Sequence, residues 1–429
     1  MSMKNPDFAE TAGIPQTVLQ ESTPLRWDGQ PNWLLPHPTR SVANIMPTIF
    51  NLLGHAPQGY PHLLAHLPTA SPQTAQRVAL LVVDSLGFKE LARSPLLSQL
   101  NQQYGTWVTS VFPSITSAAL TSLYQGLMPA HHGIMGHVVW QEAVGSLVDM
   151  LSLKREGAEK SLVEEGFDVS QLALEKGLQH QHPLEISRVA ILNKTIRGSG
   201  LSALSYGATP QYGFTDPLDA MNRLAEALNS MNQGWASLYF SHVDFLLHTY
   251  GGDSSQVGQS LTQLESLLHW LARRIKSSRL KDTVLIIAAD HGQLDIHTRI
   301  PLAGANLDWL LSHTRQLGFS GRVLHVYLDP NKASAPEVAA QLADLIGPAD
   351  RLLSFDEARP LLGPVPNAEA IRQTLGDLLV VLQPGHYWDK TGTPLANPKY
   401  PTPVLSQHGG LAPHEMLVPL TIAPLAALA

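Results

Sequence analysis

Two apolar rhythms alternate along this chain. In RVALLVVDSLG (from Arg77), WASLYFSHVD (from Trp235) and TVLIIAADHG (from Thr283) the aliphatic and β-branched positions are consecutive, the pattern of a parallel strand covered on both faces. In DPLDAMNRLAEALNSM (from Asp216) and SLTQLESLLHWLARRIKSS (from Ser260) they recur at helical spacing, which buries one face of each helix. Together these predict an α/β fold: a mostly parallel central sheet flanked by helices. Each of the three buried runs closes on an acidic residue followed by a loop or turn. Ligands of open parallel sheets gather beyond the carboxyl ends of the strands, so three such acids predict one shared site.

The pattern changes at both flanks of this core. Residues 1–40 are Pro-rich and aperiodic, reading as an extended N-terminal arm, and folding proper is expected to begin with SVANIMPTIFNLLG at Ser41. Residues 299–383 shift to strand-like GRVLHVYL, helix-like APEVAAQLADLIG and loops, which predicts a cap inserted into a core of residues 41–298 and 384–429. The chain of 429 residues is long enough for this arrangement.

Composition narrows the chemistry. There are no cysteines, which excludes disulfides, thiolate catalysis and Cys-ligated zinc and leaves metal ligation to His, Asp and Glu. The formal charge of −7 argues against a broad surface for duplex nucleic acid or anionic membrane, so any anion is bound locally. The first residues lack a basic segment followed by an apolar one, and no apolar stretch reaches membrane-spanning length; the expectation is a soluble, cytoplasmic protein.

Five motifs carry candidate chemistry. Asp84 ends the first buried strand, where an aspartate taken alone reads as a turn or helix cap before it reads as a ligand. Asp290 and His291 are adjacent at the end of another strand. Asp244 and His248 stand four apart in VDFLLH, a spacing that puts both on one helical face as a chelating pair requires. His408 lies in the Gly-rich loop LSQHGGLAPHE, whose glycines lend the flexibility to bring an imidazole across the site. Three carboxylates and three imidazoles are the donors that two zinc-type ions need when water or substrate completes their shells. In SVFPSITSAALTSLYQ a turn precedes a small-residue helix, and Ser114 or Thr116 there either caps the helix or acts as a nucleophile whose ionisation a cation and a helix N-terminus favour.

The serial order Asp84, PSIT, Asp244-x-x-x-His248, Asp290-His291, His408-Gly-Gly resembles the alkaline phosphatase superfamily, in its nucleotide pyrophosphatase and type I phosphodiesterase branch. The resemblance runs from Arg77 to Leu420 and extends to MPAHHGIMG and HTYGG. It implies an alkaline phosphatase-like fold and a metal-dependent phosphodiesterase acting through a phosphothreonine intermediate. It further implies that Thr116 is the nucleophile, with Ser114 shaping the turn. Asp84, Thr116, Asp290 and His291 would hold one metal ion, and Asp244, His248 and His408 the other. The ions implied are zinc, with manganese or iron as alternatives, and the implied partner is a small phosphate ester, nucleotides included. Three positions depart from the branch. His137 replaces an Asn that contacts a nonbridging phosphate oxygen, and Val243 and Leu247 replace a Pro and a Gly around the metal-binding aspartate.

Rival readings differ in what they demand. WDKTGTP at Trp388 looks like the phosphorylated aspartate motif of ion pumps, which would make Asp389 reactive, but those pumps need membrane helices. No G-x-S-x-G elbow supports an esterase. A phosphomonoesterase, phosphomutase or phosphonate hydrolase of the same superfamily would call on extra cations, for which Arg299 and Arg322 are candidates. An inactive metal-binding scaffold would not require the PSIT hydroxyls.

Overall fold

A computed structural model of the chain describes residues 11–27, 30–198, 200–396 and 403–429. At its centre is a seven-stranded sheet in the order Gly105–Thr109, Leu417–Pro424, Thr283–Ala288, Arg77–Val83, Gly234–Phe240, Ser187–Asn193 and Gln211–Phe214. Only Leu417–Pro424 runs against its neighbours; the rest are parallel, as the consecutive aliphatic runs require. Every residue of Arg77–Val83, Gly234–Phe240 and Thr283–Ala288 is buried, and helices such as Pro217–Ser230 and Ser255–Arg274 present their apolar stripes to the core.

Register decides where the acids go. Phe240 stands opposite Val83, and Ala288 opposite Val82, so three adjacent strands end almost level. Their following residues emerge at one edge of the sheet. Among the described residues no helix is long and apolar enough to cross a membrane.

A second sheet departs from the expected cap. It is antiparallel throughout, with Arg351–Ser354, Leu378–Val381, Val323–Leu328 and Thr314–Ser320 continued by Val138–Gln141, Ser146–Asp149 and Lys154–Arg155. The last three strands lie in the segment that the sequence assigned to the core. The junction is the pairing of Phe319 with Val138, a contact between distant segments that local apolar rhythm does not encode. One side of this sheet has its own core around Leu310, Leu317, Leu324, Val326 and Trp388. The N-terminal segment also differs from an extended arm. Its described part forms the helix Gln16–Glu21 and pairs Arg26–Trp27 with Gln30–Leu34, and the Leu34 N–H donates to the Leu411 carbonyl at 2.9 Å.

Candidate active site

The level strand ends bring Asp84, Asp290 and Asp244 together, Asp244 lying in the first turn of the helix His242–Tyr250 rather than at the strand end itself. Ser85 fastens them. Its backbone is left-handed, with φ of 61°, an uncommon state for a residue with a side chain. In that conformation its N–H donates to Asp290 Oδ1 at 3.3 Å and its hydroxyl to Asp244 Oδ1 at 2.8 Å. Tyr239 donates its phenol to Asp84 Oδ2.

Each of the three histidines gives up one ring nitrogen to the scaffold. Nδ1 of His248 meets the Ser406 carbonyl at 2.8 Å, Nδ1 of His408 the Ser114 carbonyl at 2.9 Å, and Nδ1 of His291 the Gly292 carbonyl at 3.1 Å. A carbonyl only accepts, so at His291 and His408 the proton sits on Nδ1 and Nε2 faces the carboxylates, while Nδ1 of His248 also meets Gln293 Nε2 at 3.0 Å. At His291 and His408 this outer-shell arrangement fixes the tautomer that a metal-ligating imidazole needs. His291 Nε2 lies 3.6 Å from Asp84 Oδ1 and 3.5 Å from Asp290 Oδ2. His248 Nε2 and His408 Nε2 lie 3.3 and 3.6 Å from Asp244 Oδ1.

Two trios therefore form, Asp84–Asp290–His291 and Asp244–His248–His408, each with donor atoms within 4.8 Å of one another. Asp84 Oδ1 and Asp290 Oδ2 are buried and accept no hydrogen bond. Unsatisfied buried carboxylate oxygens facing an imidazole lone pair are costly unless a cation joins them. The donor sets fit two divalent ions of the zinc type. Electrostatics agree. Burial, then the charges of Asp290 and Asp244, push the Asp84 carboxyl well above its ordinary range, and burial raises Asp290 despite His291. Burial acts the same way on Asp244, but His248, His408 and His291 outweigh it and hold that carboxyl low.

The two PSIT hydroxyls have different surroundings. Ser114 is fully buried; its hydroxyl donates to the Gly410 carbonyl at 2.7 Å and accepts from the Gly409 N–H at 3.2 Å. It ties the turn to the His408 loop. Thr116 opens the helix Thr116–Gln125, which no side chain caps, and its Oγ1 stands 3.1 Å from His291 Nε2.

The sequence matches the model of the type I phosphodiesterase / nucleotide pyrophosphatase family over residues 78–395. The chain belongs to that family. Solved structures of similar fold include an inactive variant of murine ectonucleotide pyrophosphatase / phosphodiesterase 5 in complex with AMP, at 16% identity and TM-score 0.59 over 81% of this chain and 88% of that one. Phosphonoacetate hydrolase from Sinorhizobium meliloti 1021 in complex with phosphonoacetate matches at 16% identity and TM-score 0.58 over 82% and 91%. The chain is thus a hydrolase of the phosphodiesterase and pyrophosphatase family with an alkaline phosphatase-like α/β fold.

In this family member the site opens into a cavity of about 780 Å³, walled by both sheets and lined by Asp84, Thr116, Asp244 and His248 among others. His137 lines it too, its Nε2 3.4 Å from Asp149 Oδ1. Arg299 reaches the cavity. Arg322 does not: it is fully buried, with Nε and Nη2 on the two carboxylate oxygens of Glu415 at 2.8 and 2.6 Å, which removes one of the two cations considered for a terminal phosphate. Asp389 borders the cavity, and its Oδ1 accepts the Thr391 N–H at 3.0 Å as an ordinary turn aspartate.

The glycines of the His408 loop serve close approach rather than flexibility. A Cβ on Gly409, at φ of 110°, would sit 2.3 Å from the Ser320 carbonyl oxygen, and one on Gly321, at φ of 60°, 2.0 Å from that of His408. The hairpin turn of the second sheet lies directly against the backbone that carries His408. Ser85, Tyr239 and Glu415 went unread in the sequence. A tyrosine inside a continuous apolar strand beside acidic strand ends was the one available signal.

Proposed function

We propose that this protein hydrolyses phosphate diesters, nucleotide-type diesters and pyrophosphates included, through nucleophilic attack by Thr116. Two divalent ions, zinc by preference, would be held by Asp84, Asp290 and His291 and by Asp244, His248 and His408. The observation that carries this reading is Thr116 Oγ1, 3.1 Å from His291 Nε2, at an uncapped helix start beside the Asp84–Asp290–His291 trio. When bound, the ions supply positive charge that favours an ionised hydroxyl and offsets the charge on nonbridging oxygens.

The chain's own groups orient the rest. The positive end of the helix Thr116–Gln125 lies at the nucleophile and favours an anion there. Ser114 holds the turn to Gly409 and Gly410, which fixes Oγ1 relative to His408. In the first displacement the bond between Thr116 Oγ1 and phosphorus forms as the bond to the leaving oxygen breaks, and that oxygen takes up a proton. In the second, water attacks phosphorus, the Oγ1–phosphorus bond breaks, and Thr116 regains its proton. Diesters are favoured over monoesters because Arg322 is spent on Glu415, and because the Asp149 carboxylate beside His137 offsets any charge the imidazole gains.

The test is a panel of aryl diester, aryl monoester, dinucleotide and phosphonate, assayed with metal-reconstituted wild type and Thr116→Ala. Diesters are expected to exceed monoesters by at least about tenfold in kcat/KM, roughly 1.4 kcal/mol. Thr116→Ala should lose turnover while keeping close to two metal ions per chain, roughly as in wild type. A monoester preference, or no metal after reconstitution, overturns the reading.

A further inference from the structure

The reaction cavity holds a cation that the hydrolytic step does not use. Lys390 follows the strand His386–Asp389, which pairs in parallel with Thr298–Pro301 and sets Arg299 opposite Tyr387. Lys390, Tyr387 and Arg299 all line the cavity shared with Thr116. Among the described residues no carboxylate or carbonyl oxygen lies within ion-pair or hydrogen-bond reach of Lys390 Nζ; the ammonium rests over the Phe319 ring, 3.8 Å from its centroid. A cation on an aromatic face keeps room for an anion on its other side.

The surroundings make this arrangement costly by itself. Burial draws the Lys390 ammonium down to about 8, against the opposing charge of Glu156, also on the cavity wall. Lys390 is thus partly desolvated without a direct counter-ion, which an incoming anion offsets. Arg299 gives one guanidinium nitrogen to the Val404 carbonyl, and its fork carries further donors. The same lining includes Leu120, Leu192, Ile196 and Tyr206, apolar surface that suits an uncharged connecting portion.

We propose that Lys390 and Arg299 form an anion-binding subsite within the reaction cavity, so that the substrate carries a second anionic group, phosphate or carboxylate, joined to the scissile phosphate by an apolar portion. This rests on the hydrolytic reading of the site for the position of the scissile phosphate. The subsite would select among esters by their far end and leave the chemical step to Thr116.

Binding tests it without turnover. Calorimetry on metal-loaded wild type, Lys390→Met and Lys390→Arg would use alkylphosphonates of increasing length and their counterparts ending in carboxylate or in a second phosphonate. In wild type one tail length should bind at least about tenfold tighter than the untailed compound. Lys390→Met, which preserves packing on Phe319, should erase that gain while leaving untailed binding within about twofold, and Lys390→Arg should retain most of it. The better tail identifies carboxylate or phosphate as the natural group. Equal affinity of tailed and untailed probes in wild type overturns the subsite, as does equal weakening of both by Lys390→Met. A tail effect alongside a monoester preference in the substrate panel would instead overturn the diester reading alone.

Discussion

Arg322→Met should be among the most damaging single substitutions outside the ligand trios. The guanidinium and the Glu415 carboxylate are both fully buried and joined by two short hydrogen bonds, and Arg322 Nη1 also donates to the Leu382 carbonyl at 3.0 Å and to that of Gln383. Removing one partner of such a pair leaves an uncompensated interior charge, at about 3–5 kcal/mol, against a total stability of roughly 5–15 kcal/mol for a folded domain. The carboxylate left behind also anchors the His408 loop, accepting the Gly410 N–H at 2.9 Å and the Ala412 N–H at 3.0 Å. Urea unfolding of the metal-loaded protein should therefore show a loss of about 3–5 kcal/mol, with reduced metal content because His408 loosens. Arg322→Met combined with Glu415→Met removes both charges and should recover at least about 2 kcal/mol relative to the single variant, since apolar replacement of a buried pair is often near neutral. A single-variant cost below about 1 kcal/mol, or a double variant no better than the single, would refute the reasoning.

Ser114→Ala should cost about 1–3 kcal/mol in unfolding measurements because the Gly409 and Gly410 backbone loses its partner, while measurable turnover persists; full loss of turnover with Thr116→Ala still active would make Ser114 the nucleophile. His137→Asn should change diester kcat/KM at least about twofold with stability altered by no more than about 0.5 kcal/mol; the reverse pattern in paired kinetics and melts would assign His137 to packing. Glu90 is buried, and burial raises its carboxyl from 4.5 to about 7. The folded state therefore keeps a proton that the unfolded chain releases, and stability should fall as pH rises from about 4.5 to about 7, by up to roughly 3 kcal/mol. Glu90→Gln should flatten that slope in urea midpoints measured across the interval, and an unchanged slope would sink the assignment.

What the sequence made legible follows from which interactions are local. Consecutive aliphatic positions before Asp84 and Asp290 can satisfy themselves only as strands covered on both faces, so the central sheet and its acidic edge were readable from short windows. The four-residue spacing of Asp244 and His248 likewise needs only one helix. Register between strands, the left-handed Ser85 that knots the carboxylates, and the differing surroundings of Ser114 and Thr116 depend on partners far along the chain. Ser114 is separated from Gly410 by 296 residues. The strands at 138–155 were misassigned for the same reason: their hairpin is local, but what it pairs with at Phe319 is not.

The same long-range contacts make the cap and the loop of the candidate ligand His408 one mechanical unit. His408 is held from three directions: its Nδ1 by the Ser114 carbonyl, its own carbonyl by the Arg322 N–H at 3.2 Å, and the following glycine backbone by Ser114 and Glu415. The Arg322 end of that clamp is the turn of a hairpin whose first strand supplies Phe319, under Lys390, and pairs with the strand that begins at Val138, just after His137. Close-packed interiors transmit displacement rather than absorb it. The aromatic ring under Lys390 and the clamp on His408 consequently share one hairpin, which hydrogen bonds and close packing tie to the turn that carries Ser114 and Thr116.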